Sequence, residues 1–200
     1  LMRKMLSVDG GEPVAEEFIP MLMEQMGFDA PEARSARPGR HQPDPDFRVL
    51  VIGAGLTGLL AAIKLREAGY SFTVIEKNPE VGGTWWENTY PGVAVDTPSH
   101  FYSYSFELNP DWSHYTPNGP EFQQYLLHVA EKYALRQYVV FDTRVLGCTW
   151  DEAAQCWNVE IQDANGTRIE RANAVMNAHG PVNRWSWPKI PGLESFKGVK

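Results

Sequence analysis

One short segment constrains the fold of this chain more than any other: Gly53-Ala54-Gly55-Leu56-Thr57-Gly58, which fits the pattern G-x-G-x-x-G. The run FRVLVI before it is typical of a buried parallel strand. The residues after it are apolar at helical spacing as far as Gly69, and SFTVIE then predicts a second strand. Together these pieces predict a βαβ unit of about 30 residues.

The glycines of this segment have separate roles in such a unit. Gly53 makes the tight turn, Gly55 lets the backbone approach a pyrophosphate, and Gly58 lets helix and strand pack closely. The helix N-terminus offers free N–H groups to phosphate oxygens. Glu76 ends the second strand and would accept hydrogen bonds from an adenosine ribose. Since an acid there disfavours a 2′-phosphate, the unit is predicted to hold FAD or NAD rather than NADP. A glycine-rich turn in another kind of α/β protein is the alternative.

The predicted fold class is α/β: a Rossmann-like FAD-binding domain over residues 47–200, in which a parallel sheet with helices carries a small β-meander. Residues 1–46 are predicted to be a helical N-terminal extension and a Pro-rich linker, with the helix at about 14–26. A further helix is predicted from about Pro120 to Ala134. The segments VVFDTRVLGCTWD, CWNVEIQD and RIERANAVMNA predict strands, the last two joined by the hairpin signal DANG.

Composition narrows the class of protein. The chain is 43% hydrophobic and 22% charged, which is typical of a globular protein. Its formal charge is −7 with scattered Lys and Arg, so no nucleic-acid partner is expected. The two cysteines, Cys148 and Cys156, favour a cytoplasmic protein over a disulfide scaffold. No signal peptide and no membrane span are expected, because the longest apolar stretch, 49–63, is short and broken by glycine.

The segment GGTWW, Gly82 to Trp86, favours FAD over NAD. An NAD-dependent dehydrogenase would normally continue here with another βα unit. A Gly-Gly pair followed by large aromatic residues instead suggests a backbone that folds around an extended flavin. Core filling is the alternative explanation for Trp85 and Trp86.

Three segments resemble a known family: VIGAGLTG, VIEKNPEVGGTWWENTYPGVAVD and HFYSYSFE are similar to the FAD-containing Baeyer–Villiger monooxygenases. The resemblance is greatest to the 4-hydroxyacetophenone monooxygenase group, whose extra N-terminal domain ends in a segment similar to GEPVAEEFIPMLMEQMGFD. The resemblance covers nearly the whole chain. The first segment is unspecific, whereas the run from Glu76 to Asp96 is highly specific.

The resemblance implies a role for individual residues. The FAD pyrophosphate would be held by Gly53, Gly55, Leu56, Thr57 and Gly58, the ribose end by Glu76 and Lys77, and the flavin by Gly83, Thr84 and Trp85. Asp96 is the catalytic candidate, an acid beside the isoalloxazine that positions an arginine from elsewhere. Tyr102 would lie near the flavin, and Val145 would meet the adenine through its backbone. The chain would pass the FAD again at NAHG, with Ala178 and Gly180 in contact. Two positions depart from the family pattern: Ala94 stands where Arg is common, and His179 where Thr is common.

The resemblance also implies a reaction. NADPH reduces FAD, O2 reacts with it, and a C4a-peroxyflavin converts a ketone into an ester or lactone. The NADPH-binding domain, with its own G-x-G-x-x-G, is absent from the chain, which is expected to be a fragment without NADPH oxidation of its own. Phe196, Lys197 and Gly198 fit the start of the family fingerprint F-x-G-x-x-x-H-x-x-x-W. The next residues of the parent sequence are expected to supply its His and Trp.

Other readings of the chain remain open at this point. A pyridine-nucleotide disulfide oxidoreductase is excluded, because it would have a cysteine pair soon after Gly-Gly-Thr. A flavin monooxygenase that oxidises nitrogen or sulfur would share the FAD half and NADPH. A truncated, non-catalytic FAD-binding module is the third possibility. A homodimer through the N-terminal extension is expected, since the apolar side chains of its helix would otherwise be exposed.

Overall fold

The computed structural model describes residues 15–19, 23, 43–181 and 186–198. The helix predicted at about 14–26 lies mostly outside these residues, which include a 3-10 turn at Glu16–Phe18. The described elements are β1 (Arg48–Ile52), α1 (Leu56–Glu67), β2 (Ser71–Ile75), α2 (Thr84–Glu87), α3 (Gly119–Lys132), β3 (Val139–Val140), β4 (Arg144–Asp151), β5 (Cys156–Asp163), β6 (Gly166–Ala172) and β7 (Ala174–Asn177). Further 3-10 turns occupy Arg136–Tyr138 and Leu193–Ser195.

Two sheets form the framework. β3, β2, β1 and β7 make a parallel sheet in that order, while β4, β5 and β6 make an antiparallel sheet. Alternating residues of β1 point to opposite faces, as the period of a strand requires. Val49 and Val51 pack with α1 and α3, and Leu50 packs with Val159 and Ile161 of the antiparallel sheet. The predicted Rossmann-like fold with a β-meander is thus confirmed as three layers, with the parallel sheet between helices and meander.

Both long helices have sequence-level causes. α3 begins where Asn118 accepts a hydrogen bond from the Glu121 N–H through its side chain, at 2.8 Å, and Pro120 occupies the first turn. Its buried face includes Phe122, Leu126 and Val129. α1 has glycine as its N-cap and buries Leu59, Ala62 and Ile63 against the sheet, among others. Within the described part of the chain, no helix has the length and apolar character needed to cross a bilayer.

The structure divides two predicted strands that read as continuous. VVFDTRVLGCTWD contains β3 and β4, which belong to different sheets, because Asp142 has φ +52° and the Thr143 N–H bonds to the Glu76 carbonyl at 2.9 Å. RIERANAVMNA contains β6 and β7, also in different sheets. Asn173 makes this change of sheet: its N–H bonds to the Arg48 carbonyl, and its side-chain oxygen accepts the Arg48 N–H, both at 2.9 Å. The predicted hairpin between β5 and β6 is confirmed, with Asp163 paired to Gly166.

Candidate functional site

The candidate site lies at the carboxyl ends of β1, β2 and β7, where ligands bind in open parallel sheets. The turn after β1 starts with the Gly53 N–H bonded to the Ile75 carbonyl of β2 at 2.8 Å. The chain leaving β7 is tied to β1 by a bond of 2.9 Å from the Ala178 N–H to the Ile52 carbonyl. Three segments that are distant in sequence therefore meet at one edge.

Residues 53–58, which follow β1, are the first of two glycine turns at this edge, and two of their positions tolerate no side chain. Gly53 has φ +97°, and a Cβ there would come within 2.9 Å of the Ala178 carbonyl oxygen. A Cβ on Gly58 would lie 1.8 Å from the Gly53 carbonyl oxygen. The turn, the start of α1 and the segment after β7 are therefore in direct backbone contact. Ala178 lies in this contact, Gly180 has φ +77°, and His179 is exposed.

The N-terminus of α1 provides hydrogen-bond donors. Its first helical bond joins the Leu59 N–H to the Gly55 carbonyl at 3.0 Å, so the N–H groups of Leu56, Thr57 and Gly58 precede the helical ladder. The N-cap, Gly55, has no side chain with which to cap them. Free N–H groups and the helix dipole make this end suited to a phosphate group.

Glu76 is a buried acid next to this turn, with 3% of its surface exposed. One carboxylate oxygen accepts the Ala54 N–H at 2.7 Å, and the other accepts the Asn78 N–H at 2.9 Å. A carboxylate has about four acceptor positions, so each oxygen can accept a further bond from a ligand hydroxyl. Lys77, in contrast, forms an ion pair with Glu87 of α2 at 3.0 Å.

A second glycine turn lies against the first. Gly82 and Gly83 have φ of +126° and +56°, in the region that favours glycine. The Gly82 N–H bonds to the Ala54 carbonyl at 3.0 Å. A Cβ on Gly83 would lie 3.1 Å from the Gly55 Cα, so the two turns are in contact through their backbones. Gly83 is also the N-cap of α2, which begins with Thr84.

Aromatic side chains form a cluster beside the second turn. The ring centroids of Trp85 and Tyr102 are 5.9 Å apart in an edge-on arrangement. Both rings contact Phe122 of α3, at 5.2 and 4.7 Å. Trp85 and Tyr102 are each half-buried, so the cluster can shield a planar ligand from water on one side. Trp86 is more exposed than Trp85, at 39%, and does not fill the core.

The remaining two candidate residues lie on a loop and on an edge strand. Asp96 is exposed, on a loop whose neighbouring residues are held in place: the Val95 N–H bonds to Pro117 at 2.9 Å and the Ser99 N–H to Tyr115 at 2.8 Å. Val145 is on β4, the edge strand of the antiparallel sheet, next to an irregularity in register. An edge strand leaves part of its backbone N–H and C=O groups available to a ligand.

Three residues that support the site were missed by the sequence reasoning. The Ala54 backbone links Glu76 to the second glycine turn, and Gln123 of α3 donates to the Val81 carbonyl at 2.8 Å. Tyr104 donates from its hydroxyl to the Leu56 carbonyl at 2.5 Å, and burial raises the pKa of this phenol. Gln123 could have been found, since it is a polar residue three positions before Leu126 on the apolar face of a predicted helix. Tyr104 carries no comparable signal.

Comparisons with known proteins agree with this geometry. Residues 51–116 match the family model described as an NAD(P)-binding Rossmann-like domain. An FAD-binding monooxygenase of Aspergillus terreus is 43% identical over 156 residues, covering 76% of this chain and 28% of the relative. A Baeyer–Villiger monooxygenase of Streptomyces coelicolor is 43% identical over 152 residues, again covering 76% and 28%. The solved structure of OTEMO in complex with FAD and NADP superposes with a TM-score of 0.68 at 33% identity, covering 78% of this chain and 30% of that one. The chain therefore spans less than a third of the length of these relatives.

Proposed function

We propose that the chain belongs with the Baeyer–Villiger monooxygenases to which it is similar, and that it is the FAD-binding part of an NADPH- and O2-dependent enzyme that converts ketones into esters or lactones. The observation that carries the proposal is the meeting of two glycine turns and a buried Glu76 at the carboxyl edge of one parallel sheet. Because the chain spans only part of its relatives, the reaction is proposed for the whole protein.

The residues present fit FAD. Added side chains would clash where the two glycine turns meet, and a pyrophosphate needs close approach to a backbone of this kind. The N–H groups of Leu56, Thr57 and Gly58 would donate to its oxygens, and Glu76 would accept hydrogen bonds from the ribose hydroxyls. The acid also disfavours a 2′-phosphate at this position, so FAD is favoured over NADP here. Lys77 would contribute less, since its amine is paired with Glu87.

The flavin end would lie beside Gly83, Thr84 and Trp85, with the ring of Tyr102 next to that of Trp85. FAD, when bound, supplies the redox chemistry between NADPH, O2 and the ketone. The task of these residues is to orient the cofactor and to exclude water. Asp96 would position an arginine from elsewhere in the protein, a fixed cation suited to stabilising negative charge in a dry pocket. Val145 would meet the adenine through its backbone, and Ala178 and Gly180 would border the pyrophosphate.

A titration of the purified chain with FAD, followed by the quenching of flavin fluorescence, tests the cofactor assignment. Wild type is expected to bind FAD. The substitution Glu76→Gln removes the charge and turns one acceptor oxygen into a donor that faces the Ala54 or Asn78 N–H. Since a hydrogen bond to a charged group contributes roughly 1.5–3 kcal/mol, the dissociation constant is expected to rise about 10- to 100-fold.

The matched control is Glu160→Gln, because Glu160 is an exposed acid on β5. It is expected to bind FAD like wild type. A wild-type chain that does not bind FAD, or a Glu76→Gln variant that binds it as tightly as wild type, would contradict the assignment.

The reaction itself is tested on the full-length protein. NADPH-dependent oxygenation of a ketone to an ester or lactone is expected, and product analysis by mass spectrometry detects it. Oxygenation of a thioether or an amine in place of the ketone would assign the protein to the heteroatom-oxidising enzymes instead.

Two finer expectations accompany the proposal: a cytoplasmic location, and a homodimer through the N-terminal extension. A monomeric mass in solution at micromolar concentration would contradict the dimer.

A further inference from the structure

A buried amide on α3 contacts the second glycine turn. Gln123 is only 8% exposed, and its Nε2 donates to the Val81 carbonyl at 2.8 Å. Its Oε1 is buried and has no hydrogen-bond partner among the described residues. That oxygen faces Gly82, since a Cβ built there would lie 1.9 Å from it.

The second glycine turn, which Gln123 contacts, is hydrogen-bonded to the first glycine turn. The Gly82 N–H bonds to the Ala54 carbonyl at 3.0 Å, and the Ala54 N–H bonds to the Glu76 carboxylate at 2.7 Å. On the other side of this turn, an ideal Cβ added to Gly83 would lie 3.1 Å from the Cα of Gly55. A continuous series of contacts therefore runs from the buried acid, through both turns, to the amide of Gln123.

The neighbouring residue of α3 extends this support. Phe122 contacts the ring of Trp85 at 5.2 Å, so adjacent residues of one helix hold both ends of the segment from Val81 to Trp85. Such support matters because Gly82 and Gly83 have no side chains and hence the largest conformational freedom to lose. An apolar side chain at position 123 would fill the space without burying an unpaired oxygen. The amide therefore contributes one thing that packing cannot, a directed bond to the Val81 carbonyl.

We propose that Gln123 is a positioning residue that fixes the Val81–Gly83 turn and thereby sets how tightly the flavin end of FAD is held. It acts through the backbone of the turn and does not contact the cofactor. The proposal rests on the proposed function, since it assigns Gln123 to the same FAD site.

The test compares Gln123→Met with wild type in the 200-residue chain. Methionine keeps the length and volume of the side chain but cannot donate, so the Val81 carbonyl is left unpaired. The dissociation constant for FAD is expected to rise about tenfold, which corresponds to about 1.4 kcal/mol. The visible absorption band of bound flavin is expected to shift, because the environment of the ring changes. The matched control is Gln124→Met, since Gln124 is the exposed neighbour on the same helix.

A second variant keeps the proposal testable if the Gln123→Met variant does not fold. Gln123→Asn keeps the amide but shortens it by one methylene, so it cannot reach the Val81 carbonyl, and the same weakening of FAD binding is expected. The melting temperature of each variant without FAD separates positioning from general stability. FAD binding within twofold of wild type in the folded variants would overturn the proposal, as would a lower melting temperature with unchanged FAD binding and spectrum. Failure of wild type to bind FAD would instead overturn the proposed function.

Discussion

The substitution Gly58→Ala tests whether backbone contact between α1 and the first glycine turn is required. A Cβ at position 58 would lie 1.8 Å from the carbonyl oxygen of Gly53 and 2.9 Å from its carbonyl carbon. Real Cβ contacts under 3.0 Å essentially never occur, so the helix and the turn have to separate by roughly 1 Å or more. No change of rotamer can relieve the contact, because the helix backbone fixes the position of the Cβ and both atoms that it meets belong to the backbone of Gly53.

The size of the effect follows from this geometry. Overpacking of a core costs about 1–3 kcal/mol, and a backbone contact belongs at the upper end because its neighbours have little room to move. Alanine returns at most about 1 kcal/mol through its better helix propensity. A net loss of about 2 kcal/mol lowers the melting temperature of a chain of this size by about 4–8 °C. FAD binding is expected to weaken by about 100-fold, since the displaced N–H groups of α1 lose charge-assisted hydrogen bonds.

Differential scanning fluorimetry and FAD titration measure both quantities. The control is Gly147→Ala on β4, where a Cβ would meet nothing within 4 Å and the backbone has ordinary φ. This control is expected to leave stability within about 0.5 kcal/mol of wild type or slightly above it. A Gly58→Ala variant that melts and binds FAD like Gly147→Ala would refute the argument that this contact shapes the site.

Two further predictions concern hydrogen bonds from the loop between α2 and α3: those of Tyr104 with α1 and of Glu107 with the end of α3. Tyr104→Phe removes the hydroxyl that donates to Leu56 at 2.5 Å but keeps the ring, so stability should fall by about 1–2 kcal/mol in urea unfolding, whereas Tyr115→Phe, at a ring that is 79% exposed, should change nothing. Burial tends to raise the pKa of Glu107, but hydrogen bonds from Lys132 and Tyr133, with His128 nearby, hold it below its ordinary value. Because the pKa of Glu107 is lower in the folded than in the unfolded chain, its ionised carboxylate stabilises the fold at pH values above the ordinary pKa of about 4.5. This contribution to the free energy of unfolding is lost as the pH falls through the pKa of the folded state. Glu107→Gln should therefore be less stable than wild type at pH 7 and lose less stability between pH 7 and pH 3; equal losses in both proteins would contradict this.

The sequence predicts the βαβ unit and the first glycine turn because these depend on local chemistry. Glycine spacing, an apolar run before it and an acid at the next strand end are all readable in one dimension. The two changes of sheet are not readable in this way. Asn173 exchanges two hydrogen bonds with Arg48, 125 residues away, and nothing in RIERANAVMNA signals that partner. An apolar run can predict a strand, but tertiary pairing decides to which sheet it belongs.

The residues of the candidate site also differ in whether local sequence signals predict them. Gly53, Gly58 and Glu76 follow from the motif, whereas Tyr102 was placed near the flavin only by the family resemblance, and its contact with Trp85 was not predicted. Both rings also contact Phe122, which comes after both of them in the sequence. Val145 and Asp96 were likewise placed by resemblance, and their roles stay predictions. Gln123 shows the limit of pattern reading: its position is visible on the helix face, but its partner is a carbonyl 42 residues away.

These contacts assign different parts of the site to different elements. β1, β2 and the start of α1 hold the first glycine turn and Glu76, the groups proposed to bind the ADP half of FAD. α3 holds the flavin side: Phe122 contacts Trp85 and Tyr102, Gln123 bonds to Val81, and the Tyr125 hydroxyl accepts the Tyr104 N–H at 2.9 Å. α3 is itself fixed to the loop before it, since the Gly119 N–H bonds to the Val93 carbonyl at 2.8 Å. A shift of α3 would therefore act on the second glycine turn, the aromatic cluster and Tyr104 together. Because the Gly82 N–H bonds to the Ala54 carbonyl and the Tyr104 hydroxyl bonds to the Leu56 carbonyl, such a shift would also reach the first glycine turn and the start of α1.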